Sequence, residues 1–342
     1  MDKDLTLFCS ILERETGLSF PTSRYSFIRN RLAPLLEKYD TVNPSELIVK
    51  SKQDIKLKID IVNALTTNET WFFRHPEHFE IIKKEILPSI LKRKNVINIW
   101  SAGCSIGAEL YSILITIKEA IPPTNNLRIN IIGSDISYEA VQLAKKGIYD
   151  SYDLRMTDRN IINKYFDKID DNSFKIKEEL KHNVVFEFLN LLETWPARTY
   201  DIIFCRNTMI YFNEETKGKL IKRFFKALEL NGYFFTSVNE MIDLDGENYG
   251  VKKLYIGNEC VYQKTNIVSK NLELFFNNSK ELLKATNLLR KISYSFQFGS
   301  ASKNTNGNEI RSLIISFSDS EKIIKYLNSY SLFPSFNKNI FR

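Results

Sequence analysis

Residues 97–109 read Ile97-Asn98-Ile99-Trp100-Ser101-Ala102-Gly103-Cys104-Ser105-Ile106-Gly107-Ala108-Glu109. A short apolar run passes into a loop of small residues and then into the helical periodicity of Ala108 to Ala120. In an open parallel sheet, ligands bind beyond the carboxyl ends of the strands, and small residues there let the backbone approach a bound group closely. The stretch therefore reads as strand, cradle and helix. A dinucleotide cradle would carry Gly-x-Gly-x-x-Gly, and a triphosphate cradle Gly-x-x-x-x-Gly-Lys-Ser/Thr. Here two glycines stand four apart with no lysine after the second, which suits a ligand without phosphates.

The next strand ends in Ile132-Gly133-Ser134-Asp135 and sets a carboxylate beside that loop. An acid there accepts hydrogen bonds from both hydroxyls of a ribose, although aspartate also caps helices. Loop and acid together imply an adenosine-containing cofactor without pyrophosphate, for which methyl donation is the commonest chemistry.

Outward from this centre, short apolar runs alternate with amphipathic stretches, the texture of a doubly wound α/β sheet. The pattern predicts strands at Val96–Ser101, Arg128–Ser134, Val184–Glu187, Tyr200–Cys205, Gly232–Val238 and Glu259–Lys264, with helices at Ala108–Ala120, Ser137–Lys146 and Glu214–Leu228. Between Gly147 and Asn183 the connection is too long for a simple crossover. The polar turn at Asp167–Ser173 predicts a small hairpin-bearing insertion, about 166–183. Before the sheet, apolar residues recur at helical spacing (Leu5, Phe8, Ile11, Leu12; Phe27, Ile28, Leu32, Leu35, Leu36). Asn43-Pro44-Ser45-Glu46 reads as a helix start. Three domains are expected: a helical one over 1–65, the α/β one over 66–265, and a C-terminal extension over 266–342 with no assigned role. In that extension a helix is expected at Leu272–Ile292, then a polar loop at Gly299–Asn308 and an apolar run at Leu313–Phe317.

The 342 residues are 43% hydrophobic, enough to bury a sizeable core. The apolar runs are too short to span a bilayer and nothing resembles a signal peptide, so a cytoplasmic protein is expected. The four cysteines lack the paired spacing of a zinc site. His75 and His78 enclose a proline and read as a helix start, and no metal is expected. The net charge of +7 favours an acidic partner without pointing to nucleic acid.

Several ordered blocks resemble the chemotaxis receptor glutamate methyltransferases of the CheR type. They are Asn30-Arg31-Leu32, Leu65-Thr66-Thr67-Asn68-Glu69-Thr70-Trp71-Phe72-Phe73-Arg74, the loop with Glu109-Leu110-Tyr111-Ser112, Ser134-Asp135-Ile136, Asn190-Leu191-Leu192, and Phe204-Cys205-Arg206-Asn207-Thr208-Met209-Ile210-Tyr211-Phe212. The resemblance covers about residues 5 to 265. It implies an all-α domain ahead of a Rossmann-like class I methyltransferase sheet with a small antiparallel insertion. It further implies methyl transfer from S-adenosylmethionine to glutamate carboxylates on chemoreceptor cytoplasmic helices, by a monomer. Carried over by position, the cofactor would be held by Asn68, Thr70, Arg74, Glu109, Asp135, Asn190, Leu191, Arg206 and Asn207. Arg74 and Tyr211 would be catalytic, with Arg74 or Arg206 gripping the acceptor carboxylate. Trp71, Phe72 and Phe73 are expected to pack between the two domains.

The sequence departs from the family at two places. Gly107-Ala108-Glu109-Leu110-Tyr111-Ser112 stands where Gly-Glu-Glu-Pro-Tyr-Ser is usual, and Ser237-Val238-Asn239-Glu240 where Gly-His-Ser-Glu is usual. The insertion between Phe166 and Leu180 is shorter than in members that dock on a receptor tether, which implies that none is used. Two alternatives stay open: a non-catalytic module that binds cofactor or receptor, and a carboxyl methyltransferase with another acceptor. A DNA amino-methyltransferase would show Asp/Asn-Pro-Pro-aromatic where Asn207-Thr208-Met209-Ile210 stands.

Overall fold

Two of the first four helices start at residues whose side chains satisfy a free backbone N–H, whereas Arg24, at the start of another, makes no such bond. The helices are α1 (Asp2–Thr16), α2 (Tyr25–Lys38), α3 (Pro44–Lys50) and α4 (Ile55–Leu65). Asn43 caps α3 by accepting from Glu46 N at 2.9 Å with Pro44 in the first turn, as expected, and Asp54 caps α4 by accepting from Leu57 N at 3.0 Å. Their apolar faces meet in one cluster that includes Leu5, Phe8, Ile28, Leu32, Leu47 and Leu57, all fully buried. Each such side chain contributes about 1.5–3 kcal/mol.

Helix α5 (Pro76–Ile81) runs through a π-helical turn, Ile82–Ile86, into α6 (Leu87–Leu91) and then into β1 (Val96–Ala102). There follow α7 (Ala108–Ala120), β2 (Arg128–Asp135), α8 (Tyr138–Lys146), β3 (Ile148–Asp150), α9 (Arg159–Tyr165), β4 (Phe166–Lys168), β5 (Ser173–Ile176), α10 (Glu178–Lys181), β6 (Val184–Phe188), β7 (Tyr200–Phe204), α11 (Glu214–Ala227), β8 (Leu228–Phe235), β9 (Val251–Ile256) and β10 (Glu259–Lys264). Among the described residues, seven strands form one sheet in the order β6-β2-β1-β7-β8-β10-β9. β1 pairs in parallel with both β2 and β7, and β10 pairs antiparallel with β8. The chain order reverses on either side of β1, so a crevice opens beyond the ends of β1, β2 and β7, where a doubly wound sheet binds ligand.

The insertion holds the expected hairpin, β4 with β5, and a third antiparallel strand, β3, that lies ahead of the expected bounds. β8 begins at Leu228 and ends at Phe235, four residues earlier than expected at its start. Val238 lies in a 3₁₀ turn instead. β9 was not expected at all, because Val251-Lys252-Lys253-Leu254-Tyr255-Ile256 is too rich in lysine for an apolar-run reading.

The structure is a computed structural model that describes residues 2–122, 126–244, 250–265, 271–276, 279–291, 297–298, 302–303, 309–316, 323, 326–327, 329 and 335–336. The chain separates into two compact units, residues 1–242 with 252–264 and residues 243–251 with 265–342. The second unit corrects the tail expectation: Asn271–Phe276 is a strand paired antiparallel with Glu309–Ser316, and the helix begins only at Ser279 and runs to Lys291. Leu272-Glu273-Leu274 alternates with period two, and a pairing partner decided what a short apolar stretch alone leaves ambiguous. The expected apolar run at 313–316 belongs to that partner strand, whereas Phe317 and most of the loop at 299–308 lie outside the described residues.

Candidate active site

The crevice beyond β1, β2 and β7 is a cleft of about 820 Å³, counted to its open mouth. All ten residues singled out from the sequence line it: Asn68, Thr70, Arg74, Glu109, Asp135, Asn190, Leu191, Arg206, Asn207 and Tyr211.

The cradle after β1 needs its first glycine. Gly103 has φ of 84°, and a Cβ on it would stand 2.0 Å from Thr208 Oγ1, so the loop after β7 presses directly on the loop after β1. Three side-chain-bearing residues around the cleft also sit at positive φ, Ser105 at 50°, Asn207 at 55° and Phe73 at 55°. Such strain persists where surrounding bonds over-determine the backbone. Those bonds are present. Ser105 N donates to Asp135 Oδ2 at 2.7 Å, and Ser105 Oγ to Asn68 O at 3.0 Å. Asn207 N donates to Glu240 Oε2 at 2.6 Å, and Ile210 N to Glu240 Oε1 at 3.0 Å.

Asp135 is not the cap of α8; that is Ser137, which accepts from Ala140 N at 3.2 Å. The carboxylate of Asp135 takes one backbone N–H on each oxygen, from Ser105 and from Ser137 N at 2.8 Å, which keeps lone pairs for further donors. Burial pushes its pKa above the usual aspartate value, and the backbone donors partly offset this.

Glu109 and Arg206 form a buried pair, Nε to Oε2 at 2.7 Å, with Ser101 Oγ donating to Oε1 at 2.8 Å. Arg206 also donates to Arg74 O at 2.9 Å and contacts His78 Nδ1 at 3.1 Å. Arginine has no acceptor, so His78 Nδ1 accepts and its Nε2–H donates to Glu259 Oε2 at 2.9 Å. Burial first, and the Arg206 cation second, drive the His78 pKa down to about 3. His78 is therefore a neutral link between the cleft and the strand end at Glu259. Arg206 is thereby tied into the floor of the cleft through its Nε and Nη1.

Arg74 differs. It donates to Glu69 O at 2.9 Å and stacks on Trp71, 4.4 Å from the ring centre, while its buried Nε has no hydrogen-bond partner. Burial, then the neighbouring Arg206, hold its pKa below the ordinary arginine value. Among the described residues no carboxylate forms an ion pair with it, although Glu69 and Glu109 favour its charged form from farther off. Tyr211 Oη donates to Thr67 O at 3.3 Å and its carbonyl accepts from Ser19 N at 2.7 Å, so the ring joins the helical cluster to the 66–74 loop. Asn190 Nδ2 donates to Glu15 O at 3.0 Å, and Asn68 Nδ2 to Ser137 Oγ at 3.2 Å.

The aromatic trio does not pack between the helical domain and the sheet. Phe72 is fully buried against Tyr149 and Phe166 of the insertion, at 4.7 and 5.1 Å, Phe73 meets Phe79, and Trp71 lies partly exposed at the rim.

Residues to which the sequence reading gave no role in the site are Ser105, Thr208, His78, Glu240 and Glu259. Ser105 and Thr208 stand inside quoted blocks. Glu240 survives in the altered Ser237–Glu240 block and accepts from both Ser237 Oγ and the loop after β7, so that substitution leaves the floor of the cleft tied down.

A buried acceptor-only carboxylate beside a lysine-free small-residue loop suits a nucleoside, and the unpartnered Arg74 Nε suits an anionic group next to it. Comparison agrees. Residues 68–256 match the CheR methyltransferase SAM-binding domain. The chain belongs to the CheR methyltransferase family. A chemotaxis protein methyltransferase from Borreliella burgdorferi is 33% identical over 250 residues, spanning 70% of this chain and 88% of the relative. The one from Vibrio parahaemolyticus is 32% identical over 247 residues, 70% of this chain and 90% of the relative. One from Pseudomonas aeruginosa is 31% identical over 255 residues, 72% and 93%. The cofactor of this CheR-family enzyme is S-adenosylmethionine. Among the described residues no helix is long and apolar enough to cross a membrane.

Proposed function

We propose that this CheR-family methyltransferase esterifies glutamate side chains on chemoreceptor helices. The observation that carries this reading is the contrast between the two cleft arginines: Glu109 neutralises Arg206, while Arg74 has a buried, unpartnered Nε and no ion pair among the described residues. A cleft cation outside any ion pair, favoured only at longer range by Glu69 and Glu109, suits an anionic acceptor.

In this reading Asp135 accepts from the ribose, Asn68, Thr70, Asn190, Leu191 and Asn207 surround the nucleoside, and the Glu109–Arg206 pair fixes the floor beneath the amino-acid end. The cofactor supplies an electrophilic methyl carbon on a cationic sulfur. No general base is needed, because glutamate, with an ordinary pKa near 4.3, is already anionic at neutral pH. Arg74 donates to one acceptor oxygen by a charge-assisted bond and leaves the other free for in-line attack, and Tyr211 at the mouth limits its orientation. One carbon–oxygen bond forms, one carbon–sulfur bond breaks with its electron pair going to sulfur, and no proton moves. The three-way domain division at 65 and 265 is proposed with it.

Tritiated methyl transfer to receptor-containing membranes tests the proposal, and base-labile release of label as methanol is the expected result. Cofactor binding with no label on any receptor overturns it. Asp135→Ala should weaken cofactor binding ten- to a hundredfold by titration calorimetry, the worth of hydrogen bonds to a charged group.

A further inference from the structure

Trp71 is gripped by two guanidiniums. Arg74 Cζ lies 4.4 Å from the ring centre and Arg155 Cζ 3.9 Å from it, and Arg155 also stacks on Tyr152 at 3.7 Å. The two arginines come from different segments, the 66–75 loop and the turn ahead of α9, and these are locked together. Phe72 N donates to Asp153 O at 2.9 Å, and the Phe72 ring is buried against Tyr149 and Phe166. Arg155 therefore stands at a fixed place on the rim. It is exposed and makes no ion pair among the described residues, and exposed Tyr152 and Met156 flank it with apolar surface.

Because both cations lie over one ring, at 4.4 and 3.9 Å from its centre, they stand no more than about 8 Å apart, within one and a half turns of a helix whose pitch is about 5.4 Å. We propose that Arg155 is a specificity-determining residue that holds a second carboxylate of the substrate helix, three or four residues from the glutamate that Arg74 receives. This rests on the proposed function. The acceptor is then recognised as a pair of acids on one helix face, since side chains at these spacings lie side by side. Arg155 is stacked on two rings before the substrate arrives, so little of its side-chain entropy remains to be lost on docking. It is not part of the cleft lining and acts on Arg74 only as a neighbouring cation, so it contributes to docking, not to transfer.

The test uses the full-length protein and a purified chemoreceptor cytoplasmic fragment, with tritiated methyl transfer as the readout. Arg155→Gln is expected to raise KM for the fragment about tenfold, with kcat and cofactor affinity within twofold of the unaltered protein. Arg155→Lys, which keeps the charge but loses the stacked planar fork, should recover only part of the loss. A fragment in which acids three and four residues from the methylated glutamate are changed to glutamine should lose the same factor, with no further loss from Arg155→Gln. Unchanged KM, a fall in kcat instead, or equal losses on both fragments overturns the inference while the proposed function stands. No transfer by the unaltered protein overturns both.

Discussion

At the scale of single residues, His78 makes folding pH-dependent. Its pKa is depressed to about 3 in the native protein and returns to about 6.5 on unfolding, so between these values the unfolded chain binds a proton that the folded chain refuses. Stability from this group is complete above about pH 6.5 and falls with pH below it, by roughly 1.4 kcal/mol per unit. Urea unfolding at pH 7.5 and 5.5 should show that loss in the unaltered protein and a smaller one in His78→Gln, which retains an amide that can both accept and donate. Equal losses in the two proteins would remove His78 from this role. Residues of this kind were illegible beforehand. His78, Arg206 and Glu259 are far apart in the chain, and neither periodicity nor spacing signals a bond between them. Of the residues that touch the cleft, the small-residue loop and Asp135 were legible because they stand at strand ends, where a parallel sheet puts its ligand, whereas the others, Arg206 and Asn207 among them, were legible only through the resemblance to the CheR type.

At the scale of elements, the insertion acts as a buttress for the 66–75 loop. Phe72 reaches from that loop into the insertion sheet, and Phe72→Ala should destabilise the protein by about 3–5 kcal/mol, read as a lower urea midpoint. A cost below 1 kcal/mol would show that the loop is held by other means. The hairpin was legible from the polar turn at 167–173, but its partner β3 was not, because three residues carry too little pattern. The strand at Asn271–Phe276 was hidden for a related reason: its side-chain alternation is short, and the pairing with Glu309–Ser316 that fixes it is remote in sequence.

At the scale of the unit that carries the cleft, the helical cluster and the sheet share wiring through the site. Asn190 holds Glu15 O at the end of α1, Asn213 Nδ2 donates to Glu13 Oε1 at 2.6 Å, and Tyr211 links Ser19 to Thr67. Asn190→Ala should remove about 1 kcal/mol from the anchoring of α1, seen as roughly fivefold faster amide exchange in its last turn, and should lower cofactor affinity in parallel. Loss of affinity with unaltered exchange would assign Asn190 to the ligand alone. The helices and the α/β texture could be read separately in the sequence. Their joint use of one tyrosine could not, since Tyr211 lies on the sheet side of the chain and packs into the helical cluster.

The indole at the rim has an optical consequence. Of the chain's three tryptophans, Trp100 and Trp195 meet each other edge to face at 4.8 Å, with Arg223 over the Trp195 ring at 3.9 Å, and Trp71 at the rim carries two arginines, Arg74 and Arg155. With Trp100 and Trp195 both replaced by phenylalanine, the remaining emission comes from a chromophore whose neighbouring charges are the ones an arriving carboxylate would draw away. Its fluorescence should therefore change on adding a receptor fragment before any methyl group is transferred, and the rate of that change would time docking separately from chemistry.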